Sequence, residues 1–291
     1  MTKTAITKTA MTKTAALLAA LAGMLLCTLP AQAQGRVFVS GSGVDTNPCT
    51  FAAPCRSFQQ AYNTAAANSE IDVLDPAGYG PLTISSYGIS IQGHGFSGVT
   101  QTGSCLTCAA ITISVTTTDP VSLNGLLLDG GGTGYIGINI TSGNAVQILD
   151  CVIRHFDFGI FDKTTTTPSK LLIEDTVTSD NSVDGILLDP GDSIFQQATL
   201  KGVTANNNQF GVVIAGADGL TTIASSVMSN NSTAGLQHGT GTVWLGKSVI
   251  SGNATGVVAN GTVNSYQDNE INNNATPVGG SVGTLALVSK Q

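Results

Sequence analysis

The chain of 291 residues carries 35 Gly, 11 Lys+Arg and 18 Asp+Glu, for a formal net charge of −7. Its charged fraction is 10%, far below the roughly 25% of an ordinary soluble domain, while a hydrophobic fraction of 42% excludes a disordered chain. So few basic residues cannot coat a phosphate backbone, which argues against a nucleic-acid partner.

Residues 1–33 read as a secretory signal peptide. Lys3, Lys8 and Lys13 give a positive start without an acid, an apolar run extends from Ala16 to Leu29, and Ala31-Gln32-Ala33 is a small-residue cleavage site. The apolar run is too short to span a bilayer comfortably. The expectation is a protein cleaved near Ala33, secreted to the periplasm or beyond, and not inserted in a membrane. Without the leader's three lysines, eight basic residues face eighteen acidic ones, net −10.

Residues 34–70 are expected to form an N-terminal cap: a strand, a cysteine loop and a helix. Cys49 and Cys55 flank the Pro-bounded loop NPCTFAAPC, and in an exported protein they read as a disulfide, as do Cys105 and Cys108 further on. A redox pair is the alternative for the second couple. Cys151 is left over and reads as a buried free thiol. Ser57-x-x-Gln60 is a capping box, and Phe58, Ala61, Tyr62, Ala65 and Ala66 then share one helical face. Short strands follow at Ile71-Asp72-Val73-Leu74, Leu82-Thr83-Ile84 and Ile89-Ser90-Ile91.

Residues 71–291 are built from a repeat. The segments LDCVIRHFDFGI, EDTVTSDNSVDGI, KGVTANNNQFGV, SSVMSNNSTAGL and KSVISGNATGV align on Val152, Val177, Val203, Val227 and Val249, with Ile271 as a weaker sixth anchor. The steps are 25, 26, 24, 22 and 22 residues. A Gly-aliphatic pair follows each valine anchor: Gly159-Ile160, Gly185-Ile186, Gly211-Val212, Gly235-Leu236 and Gly256-Val257. A period in the twenties with short strands and turns indicates a solenoid, in which each coil buries its apolar face only against its neighbours. Asn recurs at one corner, at Asn181, Asn206-Asn207, Asn230-Asn231, Asn253 and Asn274. Coils stacked about 4.8 Å apart would let those amides form a hydrogen-bonded ladder.

These repeats, together with the N-terminal segment RVFVSGSGVDTNPCTFAAPCRSFQQAYNTAAANSEIDVLDPAGYGPLTI, resemble secreted bacterial right-handed parallel β-helix proteins of the pectin-lyase-like superfamily. The resemblance covers nearly all of the chain beyond the leader. It implies an all-β, right-handed parallel β-helix solenoid with an N-terminal capping helix that shields the first coil. The superfamily includes pectate lyases, polygalacturonases, alginate lyases and epimerases, so a polysaccharide or cell-surface glycan is the implied partner. Lyases of this type use a basic residue with Ca²⁺ or another cation, and hydrolases use spaced carboxylates. The polygalacturonase signatures are absent, and Gly93-His94-Gly95, which mimics one, reads as a turn.

The strongest constellation of charges lies two residues before the anchors. Asp150, Asp175 and Lys201 would line up along successive coils, as an acid/base pair with a cationic partner, a cation site, or a solvated charge line. Arg154 and His155 lie close by in one coil, His155 as a proton carrier. Asp184 and Asp189 are a second acidic pair, and the loop from Lys163 to Pro168 walls the same flank. Asp129-Gly-Gly-Gly resembles a calcium turn without the repetition such turns need. Trp244, Tyr135, Phe156, Phe158 and Phe210 are the few aromatic platforms among the coils. No cofactor is evident, Ca²⁺ entering only with a lyase. The leading expectation is a non-catalytic glycan- or surface-binding or structural envelope protein. The alternative is a polysaccharide lyase, epimerase or hydrolase acting on an acidic polysaccharide.

Overall fold

The computed structural model describes residues 35–103, 105–165, 169–191, 194–216 and 219–289. The expected signal peptide and cleavage site lie outside the described residues, as do residues 166–168 of the loop after Lys163. Among the described residues, no helix is long and apolar enough to cross a membrane.

The chain winds into a parallel β-solenoid whose coils each contribute strands to three sheets. The first sheet runs from Arg36–Val39 through Glu70–Val73, Ala145–Leu149, Ser169–Glu174, Gln196–Lys201 and Leu220–Ala224 to Thr242–Gly246 and Thr262–Ser265. The second includes Val177–Ser179, Thr204–Asn206, Val227–Ser229 and Val249–Ser251. The third includes Leu82–Ile84, Asp184–Leu188, Phe210–Ile214, Ala234–His238 and Thr255–Ala259. In the early coils the strands Ser90–Thr100, Val121–Ser142 and Val152–Asp162 continue around the corners. Every paired strand is parallel to its neighbour, in the register that stacking of equivalent residues requires.

The stacking explains the apolar repeat. Ile91, Leu123, Ile148, Ile173, Leu200, Ile223 and Leu245 form one continuous buried column on the first sheet. Ile111, Ile138, Ile160, Ile186, Val212, Leu236 and Val257 form another on the third. The glycine before each aliphatic on the third sheet is set by close approach. A Cβ on Gly159, Gly185 or Gly211 would lie 2.5, 2.6 and 2.5 Å from the carbonyl oxygen of the next coil, closer than any real side chain sits.

The asparagine corner is a ladder, with one member shifted from the expected position. Asn181, Asn208, Asn231 and Asn253 are buried. The backbone N–H of each donates to the side-chain oxygen of the next, at 3.0, 3.0, 2.9 and 3.0 Å along the series ending on Asn274. Asn208, rather than Asn206 or Asn207, supplies the second rung, because Thr204–Asn206 is already strand and Asn207 takes the left-handed turn, φ 56°. A parallel hydroxyl row runs along the corner between the first and second sheets, where the N–H groups of Cys151, Val203 and Ser226 donate to Thr176, Ser226 and Ser248.

One helix, Phe58–Thr64, occurs among the described residues, and it buries Phe58, Ala61 and Tyr62. Ser57 N-caps it by accepting from Gln60 N–H at 3.2 Å. The reciprocal half of the expected box is missing, because Asp45 takes the Ser57 N–H at 2.9 Å and Gln60 turns to Thr64. The helix also ends before Ala65 and Ala66, and Ala66 is exposed. Cys49–Cys55 and Cys105–Cys108 are disulfides, and Cys151 is a buried free thiol.

Candidate functional site

The row expected to join Asp150, Asp175 and Lys201 is real for the two aspartates and wrong by one residue for the lysine. Val152 pairs with Val177, and Val177 pairs with Thr204, not with Val203. In that coil Gly202 occupies the left-handed corner that Asp150, Asp175, Ser225 and Lys247 occupy in theirs, with φ values between 48 and 64°. Val203 takes the small buried place of Cys151, Thr176, Ser226 and Ser248. Lys201 is therefore in the strand, opposite Glu174, and forms its salt bridge with Glu174. The hydrogen bond that Lys201 donates to this carboxylate, then the carboxylate's charge, holds the ammonium above its ordinary range. Asp150 and Asp175 are exposed.

Arg154 and His155 converge on a residue one coil earlier. Arg154 Nε lies 3.0 Å from Asp129 Oδ2, and His155 Nδ1 lies 3.0 Å from Asp129 Oδ1. Register produces the meeting: Asp129 pairs directly with Arg154, and His155 turns back at the corner with φ 61°. Burial acts to raise the Asp129 pKa, but hydrogen bonds from Gly131 N–H, His155 and Arg154 outweigh it and hold the carboxyl below its usual range. Asp129 was visible in the sequence only as part of a glycine turn, 25 residues from its partners. His94 sits at an equivalent kind of corner, φ 56°, 2.7 Å from Asp72 and stacked on Phe96.

A cleft of about 990 Å³ lies near the C-terminal end of the first sheet's outer side. Trp244 projects there in register between Thr222 and Asn264. Tyr266, just past the end of the next strand, stacks against it with ring centres 5.8 Å apart and planes 27° apart. Lys201, Thr222, Ser225, Lys247, Asp268 and Ser289 complete the walls. The shift of Lys201 from the corner to the strand places it here, so the structure joins Lys201 to Trp244 rather than to Asp150. A shallower depression of about 330 Å³, lined by residues including Gln147, Lys170, Gln197 and Thr199, continues along the same sheet. Among the described residues, no group of three His, Cys, Asp or Glu side chains converges as a metal would require.

A three-sheet parallel coil with an asparagine ladder and an aromatic cleft on one outer face defines the class as a parallel β-helix. The right-handed β-helix region family matches residues 78–247, more than half of the chain, and the protein belongs to that family. Among solved structures, the crystal structure of pectate lyase Pel9A superposes with a TM-score of 0.63 at 16% identity, covering 89% of this chain and 78% of that one. The A-module of the Azotobacter vinelandii mannuronan C-5 epimerase AlgE6 aligns with a TM-score of 0.49 at 15% identity, covering 76% and 72%. The likeness to the pectate lyase concerns the fold alone. A comparison with curated proteins finds no match.

Proposed function

We propose that this chain is an exported, non-catalytic β-helix protein that binds a glycan along the outer side of its first sheet, with the Trp244–Tyr266 cleft as the principal subsite. The observation that carries the reading is the stacked aromatic pair in a cleft that two lysines also line. An aromatic face receives the apolar C–H face of a sugar ring, and Thr222, Ser225 and Asp268 offer hydrogen bonds to its hydroxyls. Lys201 and Lys247 favour a sugar that carries a carboxylate or sulfate, which offsets the repulsion expected from an acidic protein. In this reading residues 1–33 are the signal peptide, 34–70 the cap and 71–291 the β-helix. The helix Phe58–Thr64 closes the N-terminal end, where an open parallel edge would otherwise template association. Calorimetry with neutral and acidic oligosaccharides tests the assignment. The expected result is saturable binding that Trp244→Ala weakens ten-fold or more, with no new reducing ends and no unsaturated product.

A second reading, a polysaccharide lyase, epimerase or hydrolase, draws support from Asp129, Arg154 and His155. Asp129 fixes the His155 ring through Nδ1 and leaves Nε2 for proton transfer, while Arg154 adds a cation beside it. Asp150 and Asp175 lie on exposed corners of this and the following coil. The described residues do not form a three-ligand metal cluster, so this reading carries no step through Ca²⁺. Turnover of pectate or alginate that disappears in His155→Gln would favour it over the binding reading.

A further inference from the structure

The outer side of the third sheet is unusually apolar for a solvent-facing surface, and an acid stands at its centre. Asp184 pairs in register with Phe158 on one side and Phe210 on the other. The next outward row is Phe161, Leu187 and Val213. Ile136, Val213 and Ala234 are buried yet stand apart from the internal core, so these outer side chains cover one another. Phe158 stacks on Phe161 at 5.2 Å and meets Tyr135 edge-on at 5.4 Å. Asp184 is only 5% exposed, and no hydrogen bond or ion pair to its carboxyl occurs among the described residues.

A carboxyl buried without a counter-charge is costly to ionise, and burial alone pushes Asp184 up to about 7. The charged groups of the packed strands do not serve it. Asp157 accepts from Ser182, Asp162 is bonded to Thr164 and Gln196, and Asp189 lies just past the far end of the strand that Asp184 begins. Phe210–Ile214 carries no charge. Lys163 places its ammonium 5.4 Å from the centre of the Phe161 ring, so this aromatic cluster already holds one ammonium of the chain itself.

We propose that this face is a docking site for a lysine side chain of a basic partner polypeptide, with Asp184 as the counter-ion and Phe158 and Phe210 as the flanking aromatic walls. The chemistry is complementary in three respects. The rings attract a cation through their faces. A lysine's four-carbon stem can lie across Leu187 and Val213 while its ammonium reaches the recessed acid. An acidic protein steers basic partners toward itself. A linear stem suits a carboxyl that is nearly flush with the surface better than an amine fixed on a sugar ring. On binding, the neutral acid gives its proton to solvent and the carboxylate pairs with the ammonium.

The test is calorimetric titration of the full chain with Nα-acetyl-lysine amide, its norleucine counterpart, and glucosamine. One saturable site for the lysine derivative is expected, at least ten-fold weaker for norleucine and in Asp184→Asn, which is isosteric and whose melting profile verifies folding. A proton competing for an acid that titrates near 7 makes the affinity about ten-fold weaker at pH 6 than at pH 8. Trp244→Ala is expected to leave this site intact, so failure of the glycan reading would not be failure here. Any of four results overturns the proposal: equal binding of the norleucine derivative, tighter binding of glucosamine, an unchanged affinity in Asp184→Asn, or loss of the site in Trp244→Ala.

Discussion

Replacing Asn231 by Ala removes the middle rung of the asparagine ladder, and its cost can be worked group by group. The Asn231 side-chain oxygen accepts from Asn208 N–H at 3.0 Å and from Asn208 Nδ2 at 3.2 Å. Its amide donates to Ala205 C=O at 3.1 Å and to Asn253 Oδ1 at 3.0 Å. Two of these partners keep a second bond: Asn208 Nδ2 still reaches Thr178 C=O, and Asn253 Oδ1 still receives Asn231 N–H. Ala205 C=O also keeps its place in the parallel ladder between Thr204–Asn206 and Val227–Ser229, so only Asn208 N–H is left buried without a partner. An orphaned buried group costs about 1–3 kcal/mol, so Asn231→Ala should destabilise the fold by about 1–3 kcal/mol. Asn274 makes the equivalent bonds at the end of the ladder but is half-exposed. There water replaces the lost partners, and Asn274→Ala should cost about 1 kcal/mol or less. Urea unfolding followed by the fluorescence of the single tryptophan measures both. Equal losses in the two variants, or a loss below about 1 kcal/mol in Asn231→Ala, would refute the ladder as a buried, mutually satisfied network.

Asp184 ties stability to pH. Its folded-state pKa of about 7 lies above the ordinary carboxyl value of 3.8, so the native state binds the proton more tightly. The associated stability is fully present below about pH 4 and is lost as pH rises through 7, about 4 kcal/mol in all. Urea midpoints of the wild type should therefore fall relative to Asp184→Asn between pH 4 and 8, and parallel pH profiles would contradict this. Burial pushes the Cys151 thiol up to about 12, so in a chain lacking residues 1–33 a thiol reagent at pH 8 should leave Cys151 unlabelled while the unreduced protein is folded and label it after denaturation. Lys201→Met should leave the urea midpoint within error, since its salt bridge with Glu174 is solvent-exposed. The same variant should weaken acidic oligosaccharides at the cleft and spare neutral ones, as competition binding would show.

What was legible in the sequence was whatever stacks. Aliphatic columns, the Gly-aliphatic pairs and the asparagine corner recur at fixed offsets because each coil must match its neighbour in register. The misplacement of Lys201 has the same root. KGVT presents a valine, but Gly202 takes the left-handed corner that Asp, Ser or Lys takes in the other coils, so Val203 falls on the buried position and the alignment of like residues slipped by one. The Asp129–Arg154–His155 cluster stayed hidden because its members meet across coils, and nothing local marks Asp129 as their partner. The cleft was half visible. Trp244 stood out as the only tryptophan, yet Tyr266 joins it only through the stacking of two successive coils. The burial of Asp184 had no sequence signature, since the sequence marks it only as one of an acidic pair with Asp189.

The glycan-binding account stands most directly on Trp244. Calorimetry of the wild type and Trp244→Ala with one panel of acidic and neutral oligosaccharides, with the mixtures assayed afterwards for cleavage, decides it. The account predicts saturable binding in the wild type, a loss of ten-fold or more in the variant, and intact oligosaccharides in both. Equal affinities, or unsaturated or shortened products from the wild type, would contradict it.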